Sequence, residues 1–286
     1  MKSVLAVSLA LASLFFIRPQ PTEAQPGQYE FFYNRKVLRQ GDIVQVSTRL
    51  PFGSKDGRAT FRGEEYHGYL TGGLFNILLG IDLDTKPGDH VLSYKFDNGD
   101  EREFTLPIVA REFGRESLKV ASMYTDLDAP TQARVAREKK MLEEQWARSS
   151  PDRLWKGAFL KPSIGELGSP FGLRRFFNEQ PRSPHAGLDL KAPAGSGVYA
   201  SNYGKVVVAE DLFFTGNTIV IDHGQSVYTI YAHLSEMKVK NGDDIERAEP
   251  IGLVGDTGRV TGAHLHFGVK VNGQRVDPAT LPGALF

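Results

Sequence analysis

His264-Leu265-His266 lies in an apolar strand pattern, which puts both imidazoles on one face of the strand, side by side. A pair of that kind is a metal-ligand or acid/base arrangement, whereas a lone histidine is more often a satisfied core residue. Upstream, His185-Ala186-Gly187-Leu188-Asp189 sets a histidine and a carboxylate four apart, with Gly187 between them to let the backbone turn. His233 ends the apolar run Tyr228-Thr229-Ile230-Tyr231-Ala232. Each signal alone is weak, but the last 102 residues hold all three, and five of the chain's seven histidines. Catalytic zinc takes three nitrogen or oxygen ligands and leaves one position for water, while structural zinc prefers four protein ligands and is rich in Cys. With no Cys in the chain, a two-His, one-Asp site with two further histidines nearby fits the catalytic type. The other histidines read differently. His223, in Ile221-Asp222-His223-Gly224, stands at a turn between strands, where a structural hydrogen bond is expected, and His67 and His90 read as solvated side chains.

These groups need a rigid frame, and the pattern around them is that of short strands. Gly204 to Ala209, Thr218 to Asp222, Tyr228 to Leu234, Ile251 to Val254 and His264 to Val271 read as strands, and Asn272-Gly273 marks a hairpin returning through Arg275 and Val276. From Gln25 to Phe113 the strands are again short and alternating. Leu92, Tyr94 and Phe96 alternate into an Asn98-Gly99 turn, and Phe104, Leu106 and Ile108 alternate out of it. Asp42 to Leu50 and Arg58 to Tyr66 read as two more strands, which together suggest a small immunoglobulin-like β-sandwich. Between the two regions, Asp128 to Arg148 has no Gly, a dense mix of charges, and Val135, Leu142 and Trp146 at helical spacing, which predicts a helix with a solvated face. The chain therefore divides into residues 1–24, a β-domain over 25–113, a linker with one helix over 114–159, and a mainly β domain over 160–286. Having no ligand cluster, the 25–113 domain is expected to position the second one and take no part in chemistry.

Lys plus Arg equals Asp plus Glu at 34 each, so no basic excess drives binding to nucleic acid or to anionic membranes. Thirty Gly and sixteen Pro, scattered along the chain, fit many strands and tight turns. Lys2, an apolar run from Val4 to Ile17 and the small residue Ala24 describe a secretory signal, since the run is too short to span a bilayer comfortably. Export to the periplasm or cell envelope is expected, with no membrane span left after the signal is removed.

Pro184-His185-Ala186-Gly187-Leu188-Asp189, Tyr231-Ala232-His233-Leu234-Ser235 and Gly262-Ala263-His264-Leu265-His266-Phe267 resemble, in order and spacing, the three motifs of the LytM/lysostaphin-type murein metallopeptidases. The likeness extends over about Leu160 to Pro282, and residues 25 to 113 look like the β-domain that precedes the peptidase in some exported members. One departure is Ala263, where many members have Pro, a position that supplies no ligand. The resemblance implies a lysostaphin-like, barrel-sandwich fold of antiparallel strands. It also implies zinc held by His185, Asp189 and His266, and His233 and His264 as the pair beside the attacked carbonyl. The substrate so implied is the peptide stem or bridge of peptidoglycan, hydrolysed at its cross-links. The rival reading is a non-catalytic wall-binding activator of a cell-wall amidase, a role of members that have lost ligands. All five positions are filled here, which favours the enzyme.

Overall fold

The computed structural model describes residues 31–119 and 126–283, so the expected secretory signal lies outside the described residues. The protein is mainly β. Its N-terminal part is a sandwich of two sheets, and its C-terminal part is built on a ten-stranded sheet.

In the sandwich, a four-stranded sheet orders strands Phe31–Tyr33, Ile43–Thr48, Leu74–Gly80 and Tyr69–Thr71. A five-stranded sheet orders Leu38–Arg39, Glu101–Val109, Gly88–Phe96, Gly57–Phe61 and Glu64–His67. The Asn98-Gly99 turn joins the pair it was expected to join, with Leu92 opposite Phe104. The stretch Arg58 to Tyr66 is not one strand but a hairpin, because Arg62 and Gly63 both take positive φ and reverse the chain. Strand Gly57–Phe61 alternates buried and exposed residues, as a sheet with one wet face requires. Strand Leu74–Gly80 does not alternate: Phe75 to Gly80 are all buried. Its second face packs on the C-terminal part, where Gly80 lies so close to Val271 and Gln274 that a Cβ would meet them at 2.9 to 3.2 Å. One hydrophobic core thus runs through both halves, from Ile43, Ile77 and Tyr94 to Phe267 and Val271.

The large sheet orders Glu166–Leu167, Gly187–Lys191, Leu265–Val271, Val227–Met237, Gly216–Asp222, Gly204–Leu212 and Asp244–Ile245, all antiparallel. Strands Gly197–Tyr199, Pro250–Val254 and Gln274–Val276 pair off this path. Helix Ala129–Trp146 starts where Asp128 caps the backbone N–H of Thr131 at 2.9 Å. None of its residues is fully buried, yet Met141, Leu142 and Trp146 lie over Val208, Val220 and Tyr228. Glu138 also accepts the N–H of Phe213 at 3.0 Å, which ties the helix to a loop beside the site. The segment before the helix adds a strand of its own. Arg115–Leu118 pairs in parallel with Arg174–Phe177, which brings residues 116 and 119 to the same cleft as the histidines.

Candidate metal centre and cleft

Strands Gly187–Lys191 and Leu265–Val271 are neighbours in a register that sets Asp189 opposite His266. Directly opposed residues share a face, so the two side chains meet across the strands. His185 lies two residues before the first strand, and its backbone N–H donates to Leu173 O at 2.9 Å. Its Nδ1–H donates to the Pro170 carbonyl at 2.9 Å, which leaves the Nε2 lone pair for the site. His185 Nε2, Asp189 Oδ1 and His266 Nδ1 form a triangle with edges of 2.9, 3.0 and 3.0 Å.

Three donor atoms converging on one point suit a cation, and among the described residues this trio alone groups as a metal-holding set. Tetrahedral zinc with bonds near 2.0 to 2.1 Å needs ligand atoms about 3.3 Å apart, so opening each edge by a few tenths of an ångström would admit it. The donor set, two imidazoles and a carboxylate, also fits. Burial opposes the charge on Asp189 most strongly, but its close contacts with the His185 and His266 rings outweigh it and hold the carboxyl far below the usual carboxylate range. Burial likewise keeps His266 below the ordinary imidazole value, partly offset by its bond to Asp189. An ionised carboxylate and neutral rings are the forms that ligate a metal.

Gly187 does not turn the chain as its place between His185 and Asp189 suggested. It lies in the strand, and a Cβ there would come within 2.4 Å of the Phe267 carbonyl and 2.8 Å of the His266 ring. The residue is small so that His266 can reach the trio.

His233 does not end its strand, which runs on to Met237. Between the pairs Ile219–Tyr231 and Asn217–Leu234 the strand carries an extra residue, and His233 sits in that bulge with φ of 65°. A bulge re-aims a side chain, and a non-glycine residue at positive φ is strained unless its surroundings hold it. Here the His233 N–H donates to Thr215 O at 2.9 Å and its Nδ1–H to Thr257 O at 2.9 Å. The Nε2 lone pair is left for the cleft. Burial, followed by the nearby His266, pushes His233 down to about 3, so the ring is neutral at pH 7. His264 lies across from it, ring centroids 5.0 Å apart, with Nδ1–H on Gly262 O at 2.8 Å and Nε2 3.6 Å from Asp189 Oδ1. All five residues singled out in the sequence thus meet in one place.

Two other groups were missed. Arg175 reaches Asp189 Oδ2 at 3.6 Å and Glu116 Oε2 at 3.1 Å, bridging the trio to the strand Arg115–Leu118. Arg259 lies between the rings of Phe177 and Phe214, at 4.6 and 4.5 Å from their centroids. Arginine has no spacing signature of the kind that exposed the histidines. Phe214 also lines the cleft, while Asn217 and Tyr203 serve the fold. Asn217 holds Leu234 O at 3.0 Å, and the Tyr203 carbonyl accepts His223 Nδ1–H at 2.7 Å. His223 is fully buried and its Nε2 contacts Thr229 Oγ1 at 2.7 Å, the structural bond its turn position suggested.

Residues 183–278 match the model of peptidase family M23. The chain is 43% identical over 112 residues to the peptidoglycan DD-endopeptidase ShyA of Vibrio cholerae, a match over 39% of this chain and 26% of that protein. It is 38% identical over 128 residues to the DD-carboxypeptidase/endopeptidase Mpg of Neisseria meningitidis, 44% of this chain and 30% of the other. The chain thus spans under a third of these two relatives. Among solved structures, a Pseudomonas aeruginosa protein described as a candidate M23 peptidase superposes with a TM-score of 0.67 at 30% identity. That match takes in 86% of this chain and 95% of the other. By motif, fold and a relative shared along nearly its whole length, the chain belongs to peptidase family M23.

Proposed function

We propose that the protein is a zinc endopeptidase of the cell envelope that hydrolyses peptide cross-links of peptidoglycan. The observation that carries this reading is the triangle of His185, Asp189 and His266 with two further imidazole lone pairs facing the same cleft. The relatives named for peptidoglycan endopeptidase activity supply the substrate class.

His185, Asp189 and His266 would hold the metal. Bound there, zinc supplies a Lewis acid that polarises a peptide carbonyl and acidifies water to a pKa of about 7. His233 and His264 have their Nδ1 protons committed to backbone carbonyls, so each offers Nε2 as an acceptor. One takes the proton of the attacking water, and the protonated ring can then donate to the developing oxyanion or to the leaving amine. Arg175 occupies Asp189 Oδ2 and leaves Oδ1 to the trio. No glutamate is needed as base, since two imidazoles stand in that role.

The amidase-activator alternative needs no turnover and is separated from the enzyme by one experiment. Purified protein is incubated with peptidoglycan with and without a chelator, and the released fragments are identified by mass. Chelator-sensitive loss of cross-linked fragments is expected. Intact cross-links in the presence of zinc-loaded protein would favour the activator.

A further inference from the structure

The helix Ala129–Trp146 buries none of its residues fully, yet one turn of it is fastened to the rim of the cleft. Glu138 is the anchor. With 17% of its side chain exposed, it accepts the Phe213 N–H on its two oxygens at 3.0 and 3.2 Å and the Arg134 Nε–H at 2.6 Å. Arg134, one turn earlier, donates to the Asp211 carbonyl at 2.8 Å and to Asp211 Oδ2 at 3.1 Å. A bond from a backbone N–H to a carboxylate is about twice as strong as a neutral one, and this one is largely out of solvent. The next pair along the helix, Lys139 and Glu143 at 3.6 Å, has 76% and 61% of its side chains exposed and fastens nothing.

Phe213 opens the turn Phe213-Phe214-Thr215 that joins strands Gly204–Leu212 and Gly216–Asp222, which close on the pair Leu212 and Gly216. Each residue of the turn has a backbone partner outside this hairpin. The Phe213 N–H goes to Glu138, Phe214 O accepts the Arg259 N–H at 2.8 Å, and Thr215 O accepts the His233 N–H at 2.9 Å. Gly216, at φ of 59°, lies so close to Thr257 that a Cβ would fall 2.3 Å from its Oγ1, and the Thr257 carbonyl accepts His233 Nδ1–H at 2.9 Å. Both bonds that hold His233 in its bulge, at φ of 65°, therefore run through this turn or against it. A strained backbone persists only where its surroundings over-determine it, so an anchor of the turn is also an anchor of the imidazole.

We propose that Glu138 is a positioning residue: by pinning the Phe213-Phe214-Thr215 turn from the helix, it holds the bulge that aims His233 into the cleft. The helix then serves the site as well as joining the two halves. The effect on rate rests on the reading of the protein as an endopeptidase with His233 in its chemistry, whereas the link from Glu138 to His233 can be measured without it.

The test uses the zinc-loaded full chain as wild type, E138A, E138Q and the helix control E143A, with purified cross-linked muropeptides as substrate. Hydrogen exchange of the His233 amide is followed by NMR, beside melting temperature, zinc content, kcat and KM. In E138A the His233 N–H should exchange about 5- to 10-fold faster, the worth of one hydrogen bond, while amides elsewhere in the ten-stranded sheet keep their protection. The kcat of E138A should fall by a similar factor, with KM and zinc content unchanged. E138Q keeps an acceptor oxygen for the Phe213 N–H and should recover most of both losses, and E143A should match the wild type. An unchanged His233 exchange rate in E138A overturns the proposal, whether or not that variant melts lower, as does an unchanged kcat beside an active wild type. A Gln variant as impaired as the Ala one overturns it too, since the ion pair with Arg134 would then carry the effect. If the wild type cleaves no muropeptide, the endopeptidase reading fails, and the exchange of the His233 amide in E138A still decides the link.

Discussion

Both halves of the molecule are antiparallel and both bury polar side chains, but they use them in opposite ways. In the sandwich, Asn76 is buried and saturated: its carbonyl oxygen accepts Ser47 Oγ at 2.7 Å and Gln45 Nε2 at 3.1 Å, and its amide donates to Leu74 O at 2.8 Å. Every capacity of that side chain is spent on the fold. In the C-terminal half, His185, Asp189 and His266 point their acceptors at one another, with two more imidazole lone pairs beside them. A buried group partnered by backbone holds structure, while acceptors that converge need something from outside. His233 adds a strained backbone to this half, held by two carbonyl acceptors.

The largest expected effect tests that contrast directly. Asp189→Ala, His185→Ala or His266→Ala should lower metal affinity by more than about a hundredfold, the upper end for partners that only support a ligand, and turnover should fall with it. Asn76→Ala should cost about 1 to 3 kcal/mol of stability and leave metal content alone. Metal analysis beside denaturant unfolding reads both. An Asn76→Ala protein that unfolds normally but loses its metal would erase the distinction.

Within the C-terminal half, His233→Ala and His264→Ala should keep the metal and lose about a hundredfold to a thousandfold in rate, since the role proposed for them is proton transfer or oxyanion stabilisation. If His264→Ala loses metal while His266→Ala retains it, the roles of the pair are reversed. Gly187→Ala should behave like the variants of the trio although Gly187 has no side chain to offer, since a Cβ there would displace the His266 ring. Metal should leave this variant although His185, Asp189 and His266 are all present.

How much of this was legible in the sequence follows from the physics of each feature. The strand pairs, the Asn98-Gly99 turn, the helix and the meeting of five polar residues came from periodicity, turn chemistry and motif likeness, which act locally along the chain. The Phe75 to Leu79 run hid a strand buried on both faces, because its second face is covered by residues almost two hundred positions away. The αL turn at Arg62-Gly63 was passed over because Arg rarely takes positive φ. Nor does any local pattern announce the bulge at His233 or the strand Arg115–Leu118, whose partner is Arg174–Phe177.

His223 gives a smaller effect with a definite sign. Its full burial pushes the ring down to about 4, against an unperturbed value near 6.5, although its bond to the Tyr203 carbonyl works the other way. The unfolded chain therefore takes up a proton between pH 6.5 and 4 that the folded chain refuses. Stability from this residue is fully present above pH 6.5 and is lost as pH falls towards 4, to a total of roughly 3 kcal/mol. Unfolding free energies measured from pH 7.5 to 4.5 in the wild type and His223→Gln should show the slope reduced in the variant. An unchanged slope would mean that another buried group governs the acid side.

The smallest effect concerns the seam between the halves, where Arg275 reaches Asp82 at 2.9 Å and Asp84 at 2.8 Å, and its backbone N–H also donates to Asp82 at 2.9 Å. Burial would raise the Asp82 carboxyl, but the Arg275 hydrogen bonds hold it below its ordinary value. Arg275→Met keeps the apolar stem and removes the charge, leaving Asp82 partly buried with its two backbone donors, while Asp84 retains Arg174 at 3.2 Å. Because the pair is partly exposed and screened, about 1 to 2 kcal/mol of stability should be lost, towards the low end for a group left short of a partner. That loss should be present at neutral pH and should shrink as pH falls below the ordinary carboxylate range, where protonation of Asp82 in the unfolded chain removes the wild type's advantage. Metal content and turnover should not move, since the seam touches neither the trio nor the histidine pair. If turnover falls in step with stability, the sandwich does more than support the cleft, and the division between a saturated half and a reactive half must be redrawn at Asp84 and Arg174, whose neighbour Arg175 reaches Asp189.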